Sequence, residues 1–280
     1  MGYGYIPQNV QADVESLVAQ ALRDIACLEP PVSFADLFEH EKLKASTFSA
    51  SSPDYVALVQ QIGADADSVR GCLFVPDRLV FARDDGYAKR MNFVLAHELG
   101  HWLLPWHRDL LYACSEFDLS QAARSQLERE ANFFASEVSF MGKVFSDRLA
   151  AGALSFKNLS KLADAFDMSL ESTVRRAVEL ETRPCVFMSM KTNDASEEHF
   201  LTIRYIVYSV PYSAKYDAIN HTQTFPRNHV LAKVITDQYA SGSNHFSGEV
   251  VRREDKTTLL VEGWKNKWNV FALLTPKEAV

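Results

Sequence analysis

The sequence predicts an α+β protein in three parts: a mainly helical region over residues 1–150, a helix-turn-helix-spaced segment over 151–183 and a separate α+β module over 184–280. Three observations predict it. Apolar residues recur at helical spacing through the first half, and one helix there contains H-E-x-x-H. After Arg183-Pro184 the chain changes to short alternating runs rich in Val, Ile, Tyr and Phe. A chain of 280 residues suits two or three domains, at about 100–150 residues each. Hydrophobic residues make up 47% and charged residues 23%, the balance of a soluble globular chain. Lys+Arg 29 against Asp+Glu 36 gives a net charge of −7, which argues against a surface built throughout to coat nucleic acid. With Gly 11 and Pro 10, long disordered or collagen-like tracts are excluded.

Taken in order, residues 10–27 place Val10, Val14, Leu17, Val18, Leu22 and Ile25 on one face of an amphipathic helix, ended by Pro30-Pro31. Ser33 is placed to cap a second helix, Phe34 to His40. Residues 72–82 are two apolar runs around Pro76-Asp77 and read as a hairpin. A helix follows from Lys89 to Leu104, stopped by Pro105. Another runs from about Ser120 to Phe140, with Leu127, Ala131, Phe134, Ala135 and Val138 on one side.

Residues 155–182 form two short helices, capped by Ser155 and Ser169 and divided by Asp167-Met168-Ser169, with Arg175 and Arg176 on the second. Five basic and five acidic residues cancel over 155–183, whereas a DNA reader carries an excess of positive charge. A packing or partner-docking role is therefore preferred, and direct DNA binding is not expected. Strands are predicted over 185–190, 200–210, 230–234, 249–252, 258–262 and 269–274, separated by Gly, Asn, Ser and Pro. Trp264 and Trp268 flank Lys265 and Lys267, a pattern read as strand-end packing in preference to a ligand surface. His199, His221, His229 and His245 lack metal-ligand spacing and read as surface or turn residues.

Cys27, Cys72, Cys114 and Cys185 are scattered and form no C-x-x-C pair, as expected of free thiols. The first residues show no basic stretch followed by an apolar run. The most apolar segment, 92–106, is broken by His97, Glu98 and His101 and is too short to span a bilayer. A cytoplasmic location without membrane contact is the expectation.

The segment Phe93-Val-Leu-Ala-His97-Glu98-Leu-Gly-His101-Trp-Leu-Leu carries the chemistry. Residues four apart on a helix share a face, so His97 and His101 can aim both imidazoles at one point. Two neutral imidazoles provide half of a tetrahedral zinc site, and a catalytic site adds one protein ligand and keeps a place for water. Glu98, one position on, can stand beside the metal, take a proton from the attacking water and hand it to the leaving amine. Val94, Leu95, Leu99, Leu103 and Leu104 make most of this helix apolar. Burying two His and a Glu unpaired would be costly, and a metal supplies the missing partner. For the third ligand, Glu128 lies on a stripe with Ala131, Asn132 and Ala135, small or polar neighbours that allow a second helix close. Glu130, about 200° round the axis from Glu128, is the alternative. His107 and Tyr112, after Pro105, are candidates for polarising the scissile carbonyl or holding the oxyanion.

These residues resemble the ImmA/IrrE metallopeptidases. The likeness rests on RMNFVLAHELGHWLL at 90–104 and LEREANFFASEV at 127–138, and extends to PPVSFADLFEHEKLK upstream and LSKLADAFDMSLESTVRRAVEL at 159–180. It covers about residues 30–180, and the remainder is similar to the GAF-like domain of the longer, IrrE-type members. The resemblance implies a zincin-like metallopeptidase domain, a helix-turn-helix segment and a GAF-like α+β domain. It also implies an endopeptidase using Zn2+, with Mn2+ as an alternative activating metal. It carries His97, His101 and Glu128 onto the metal ligands and Glu98 onto the catalytic base. The implied substrate is a helix-turn-helix transcriptional repressor, whose cleavage derepresses stress-response genes of the DNA-damage type or mobile-element genes. The sequence departs at Trp102 and Pro105-Trp106, which end the helix abruptly, and at Met168-Ser169 in the turn. The competing reading is a regulator that binds a repressor or DNA without proteolysis.

The net charge divides unevenly: −8 over residues 1–154, 0 over 155–183 and +1 over 184–280. The acidity belongs to the first region, where it favours a basic partner such as a DNA-binding repressor.

Overall fold

In the computed structural model, the described residues are 6–49, 52–53, 56–57, 69–84, 87–108, 121–193, 198, 200–219, 224–229, 231–233, 245–251, 256–265 and 269–279. They form two compact units. One is made of Tyr3–Asp147 with Asp164–Ser169, and the other of Arg148–Ala163 with Leu170–Val280.

The first unit opens with helix α1 (Gln8–Asp24), which buries Val14, Val18, Ala21 and Leu22. It stops short of the two prolines expected to end it. Ala26 adopts φ 51°, the Ala26 N–H reaches the Arg23 carbonyl, and the Cys27 N–H reaches the Leu22 carbonyl. That pair of bonds is the Schellman arrangement, which closes a helix through one left-handed residue. Helix α2 (Phe34–His40) begins as expected, with the Ser33 side chain accepting from the Asp36 N–H at 3.2 Å.

Strands β2 (Gly71–Phe74) and β3 (Leu79–Asp84) are the predicted hairpin, pairing antiparallel with Cys72 opposite Phe81. Its turn places Arg78 at φ 51°. Strand β1 (Lys44–Ser49) pairs parallel to β3 and completes a sheet ordered β1-β3-β2. The sequence reading has no counterpart to β1.

Helix α3 (Ala88–Leu103) lies on this sheet and packs against α4 (Gln121–Ser139), both within one or two residues of the expected bounds. Leu99, Ala131, Phe134 and Ala135 are fully buried between them. A side chain at Gly100 would come within 3.1–3.2 Å of the Phe134 ring and Cβ, so the glycine sets how closely the helices approach.

Farther along the chain lie α5 (Lys143–Ala150), α6 (Phe156–Ala165) and α7 (Leu170–Leu180). Between α6 and α7, Asp167 takes φ 51° in the predicted turn. Helix α7 belongs to the second unit, a six-stranded antiparallel sheet ordered β6-β5-β4-β9-β8-β7. Its strands are β4 (Val186–Thr192), β5 (Leu201–Tyr208), β6 (Thr224–Phe225), β7 (His245–Val251), β8 (Thr258–Lys265) and β9 (Val270–Pro276), with a short helix α8 (Val210–Lys215) after β5. The central strands β4 and β9 are buried almost continuously, whereas β8 alternates buried and half-buried residues. Covered on both faces, a strand loses alternation; covered on one, it keeps it.

Helix α7 packs on β4 and β5. Its Glu171 carboxylate accepts hydrogen bonds from Ser189 Oγ (2.9 Å), Arg204 Nη1 (2.6 Å) and the Tyr205 hydroxyl (2.8 Å). The predicted strand over 230–234 is not one: 231–233 are helical, and 230 and 234 lie outside the described residues. Among the described residues no helix is long and apolar enough to cross a membrane.

Candidate metal centre

Helix α3 presents His97 and His101 one turn apart, and α4 brings Glu128 to them. The two histidine Nε2 atoms lie 3.2 Å apart. Glu128 Oε2 lies 3.2 Å from His97 Nε2, and Glu128 Oε1 lies 3.4 Å from His101 Nε2. These three residues form a group whose donor atoms all lie within 4.8 Å of one another. A tetrahedral ion with ligand bonds of about 2.0–2.1 Å spaces its donors about 3.3–3.4 Å apart. The spacing and the donor types, two imidazoles and a carboxylate, therefore fit a zinc-sized transition-metal ion.

The Glu128 carboxylate and the His97 imidazole shift each other's protonation. Burial raises the Glu128 carboxyl, but hydrogen bonds from His101 and His97 outweigh it and hold the carboxyl well below the usual carboxylate range. Burial opposes the charge on His97, yet the hydrogen bond it donates to Glu128 and the charges of Glu98 and Glu128 hold it above its ordinary value.

Glu98 is buried at 7% exposure on the same helix. Strand β2 passes directly over it: a Cβ at Gly71 would fall 2.5 Å from Val94 Cγ1 and 2.6 Å from Glu98 Oε1. The glycine is what lets the sheet edge lie against this carboxylate. Nothing in the sequence pattern singles out Gly71, because the reason for it is a helix more than twenty residues away.

The alternative ligand, Glu130, is not in the group. It is buried at 4% exposure and accepts from Trp106 Nε1 at 2.7 Å and from Gln126 Nε2 at 2.5 Å. His107 lies 3.0 Å from the same carboxylate and 3.0 Å from His101. Burial pushes the His107 imidazole down to about 4, with the neighbouring His101 acting in the same direction. Its exposure is 0% and both ring nitrogens are engaged, so it has none to turn toward a substrate carbonyl. The candidate role of His107 at the oxyanion is corrected on that ground. Tyr112, the other candidate, lies outside the described residues.

Trp102, where the helix departs from the family pattern, donates from Nε1 to Glu41 Oε2 at 2.9 Å. The guanidinium groups of Arg78 and Arg108 stand 5.3 and 5.4 Å from its ring. In the second unit, Trp264 stacks on Phe271 and Lys265 is buried, while Trp268 and Lys267 lie outside the described residues. His229 stacks on Phe225 at 4.6 Å and accepts from the Leu231 N–H. His245 is exposed on β7, and His199 and His221 lie outside the described residues.

No curated protein sequence gives a significant match to this chain. Among solved structures, a Mycobacterium tuberculosis transcriptional regulator is similar to it, with a TM-score of 0.59 and 13% identity over 98% of this chain and 78% of that chain. At that identity the likeness is one of fold. The family model for the IrrE N-terminal-like domain, Peptidase_M78, matches residues 65–178. That span holds α3, α4 and every member of the His97, His101, Glu128 group. Residues 65–178 therefore carry an IrrE N-terminal-like (Peptidase_M78) domain, in agreement with the two sequence blocks and their resemblance.

Proposed function

We propose that this chain is a zinc-dependent endopeptidase that cuts a helix-turn-helix transcriptional repressor, and that it thereby derepresses stress-response or mobile-element genes. The observation that carries the catalytic half is the convergence of His97, His101 and Glu128 donor atoms within 4.8 Å, with the Glu98 carboxylate buried on the same helix. His97, His101 and Glu128 would hold the ion, Zn2+ or alternatively Mn2+. When bound, such an ion polarises the scissile carbonyl and lowers the pKa of water. Glu98 takes the proton from the attacking water and returns it to the departing amine.

The substrate half rests on the family resemblance and on the acidity of residues 1–154, which suits a basic, DNA-binding partner. Direct DNA binding by 151–183 forms no part of the proposal. Arg176 is buried, and Arg175 is paired with Glu179 at 3.1 Å, so neither is presented to a phosphate backbone. The GAF-like reading of 184–280 is supported by the six-stranded antiparallel sheet with α7 on it, and assigns it a signal-sensing role.

The test is Glu98→Gln in the full chain, incubated with a candidate repressor. Cleavage should fall by at least 10²–10⁴-fold, the range expected for a lost general base, while metal content by elemental analysis stays at the wild-type level. Undiminished cleavage by this variant overturns the mechanism. A wild-type chain that takes up no metal on reconstitution overturns the site, and metal uptake without any repressor fragment favours the non-proteolytic regulator.

A further inference from the structure

Behind the metal group lies a second row of polar side chains, with His107 and Glu130 buried at its centre. His101 Nδ1, the ring nitrogen turned away from Glu128, is 3.0 Å from His107 Nδ1. His107 Nε2 is 3.0 Å from Glu130 Oε2. That oxygen also accepts from Trp106 Nε1, and Glu130 Oε1 accepts from Gln126 Nε2. His107 and Glu130 are 0% and 4% exposed, so no bulk water substitutes for these bonds.

Only one arrangement of ring protons satisfies this row when His101 binds a metal through Nε2. A neutral imidazole has one N–H and one lone pair. With the Nε2 lone pair on the metal, the His101 proton sits on Nδ1 and must be donated. His107 Nδ1 has to accept it, which leaves the His107 proton on Nε2, and Glu130 accepts that proton in turn. Trp106 donates only, and so does the Gln126 amide nitrogen. Both therefore present the carboxylate as an acceptor, and the polarity runs one way from His101 to Glu130.

We propose that His107 and Glu130 are positioning residues that lock His101 in its Nδ1–H tautomer and aim its Nε2 lone pair at the metal, acting through an interposed imidazole. This rests on the reading that His97, His101 and Glu128 hold a metal. Carboxylate partners behind a ligating histidine orient the ring and raise its basicity, and their loss costs about 10–100-fold in metal affinity or activity. Here the carboxylate lies one histidine farther back, and the intervening ring transmits the polarity.

The experiment measures Zn2+ affinity of the full chain by chelator competition, together with 15N NMR of the zinc-loaded histidines. His107→Leu removes the acceptor for His101 and should weaken zinc binding about 10–100-fold. His107→Gln carries an acceptor and a donor spaced much like the two ring nitrogens and should keep close to wild-type affinity. A merely structural role for His107 would not separate these two variants once both are shown folded by circular dichroism. Equal affinities for the two folded variants overturn the proposal. Should His107→Leu not fold, the wild-type spectrum decides: protons on His101 Nδ1 and His107 Nε2 uphold the relay, and any other tautomer pair overturns it. Glu128→Gln separates this from the underlying reading. If that variant binds zinc like wild type, the metal site itself is wrong; if it loses zinc while His107→Leu does not, only the relay is wrong.

Discussion

Gly71 shows how one missing side chain shapes the candidate centre. An alanine there would bring its Cβ to 2.5 Å from Val94 Cγ1 and 2.6 Å from Glu98 Oε1, so either β2 lifts from α3 or Glu98 swings aside. Overpacking of this kind costs about 1–3 kcal/mol of stability. Displacing a catalytic group by about 1 Å can cost 10²-fold in rate. Gly71→Ala is thus expected to retain zinc at wild-type affinity while kcat falls by more than its loss of stability explains. Steady-state kinetics beside a urea titration measures both; unchanged kcat would place the Glu98 carboxylate elsewhere during catalysis. At the same scale, Glu128 and Glu130 show how two carboxylates two residues apart take different work. The first faces the histidine pair across 3.2–3.4 Å, and the second is enclosed by Trp106, Gln126 and His107.

Between elements, the segment that follows α7 carries a titratable device. The Glu181 carboxylate, 7% exposed, accepts from the Thr182 and Arg183 backbone N–H groups at 3.0 and 3.1 Å. It also accepts from Arg183 Nε and Nη2 at 2.9 and 2.8 Å. Burial raises this carboxyl, but the Arg183 bonds outweigh burial and hold it below its ordinary value. A folded pKa below the unfolded one means that the unfolded chain binds more protons as pH falls. The stabilisation is therefore fully present above the unfolded value of about 4.3 and drains away as pH drops through the folded one. Glu181→Gln should flatten the pH dependence of the denaturation midpoint below about pH 5, with little change in that dependence near neutrality. A wild-type slope in the variant would remove Glu181 from the account. The close pairing of Gly263 on β8 with Phe246 on β7, whose ring lies over the glycine, is the same logic without charge.

For the whole molecule the governing quantity is the charge distribution. Residues 1–154 carry −8, and the remaining regions carry 0 and +1. A basic repressor would be drawn to the first region by a field that salt screens, since the Debye length falls from about 10 Å at 0.1 M to about 3 Å at 1 M. Raising ionic strength is expected to increase KM for the repressor while leaving kcat nearly constant. Progress curves at several salt concentrations test this, and a salt-independent KM would mean that recognition is apolar.

The amino-acid sequence by itself determined the elements whose cause is local. The helices about His97 and Glu128 follow from apolar periodicity, Ser33 caps α2 through a side chain three residues from its donor, and Pro76-Asp77 turns the β2–β3 hairpin. The pairing of His97 with His101 is legible for the same reason, because helical pitch alone places them together. Only the tertiary structure brought Glu128 of α4 to them, since that depends on which face α4 turns toward α3. It alone joined β1 in parallel to β3, a pairing between segments thirty-five positions apart. It also made Glu130, which the helix pattern offers only as an alternative ligand, a buried acceptor for Trp106 and His107 more than twenty residues away. Burial of a polar group is favourable only when partners arrive from elsewhere in the chain, and no local pattern records their arrival.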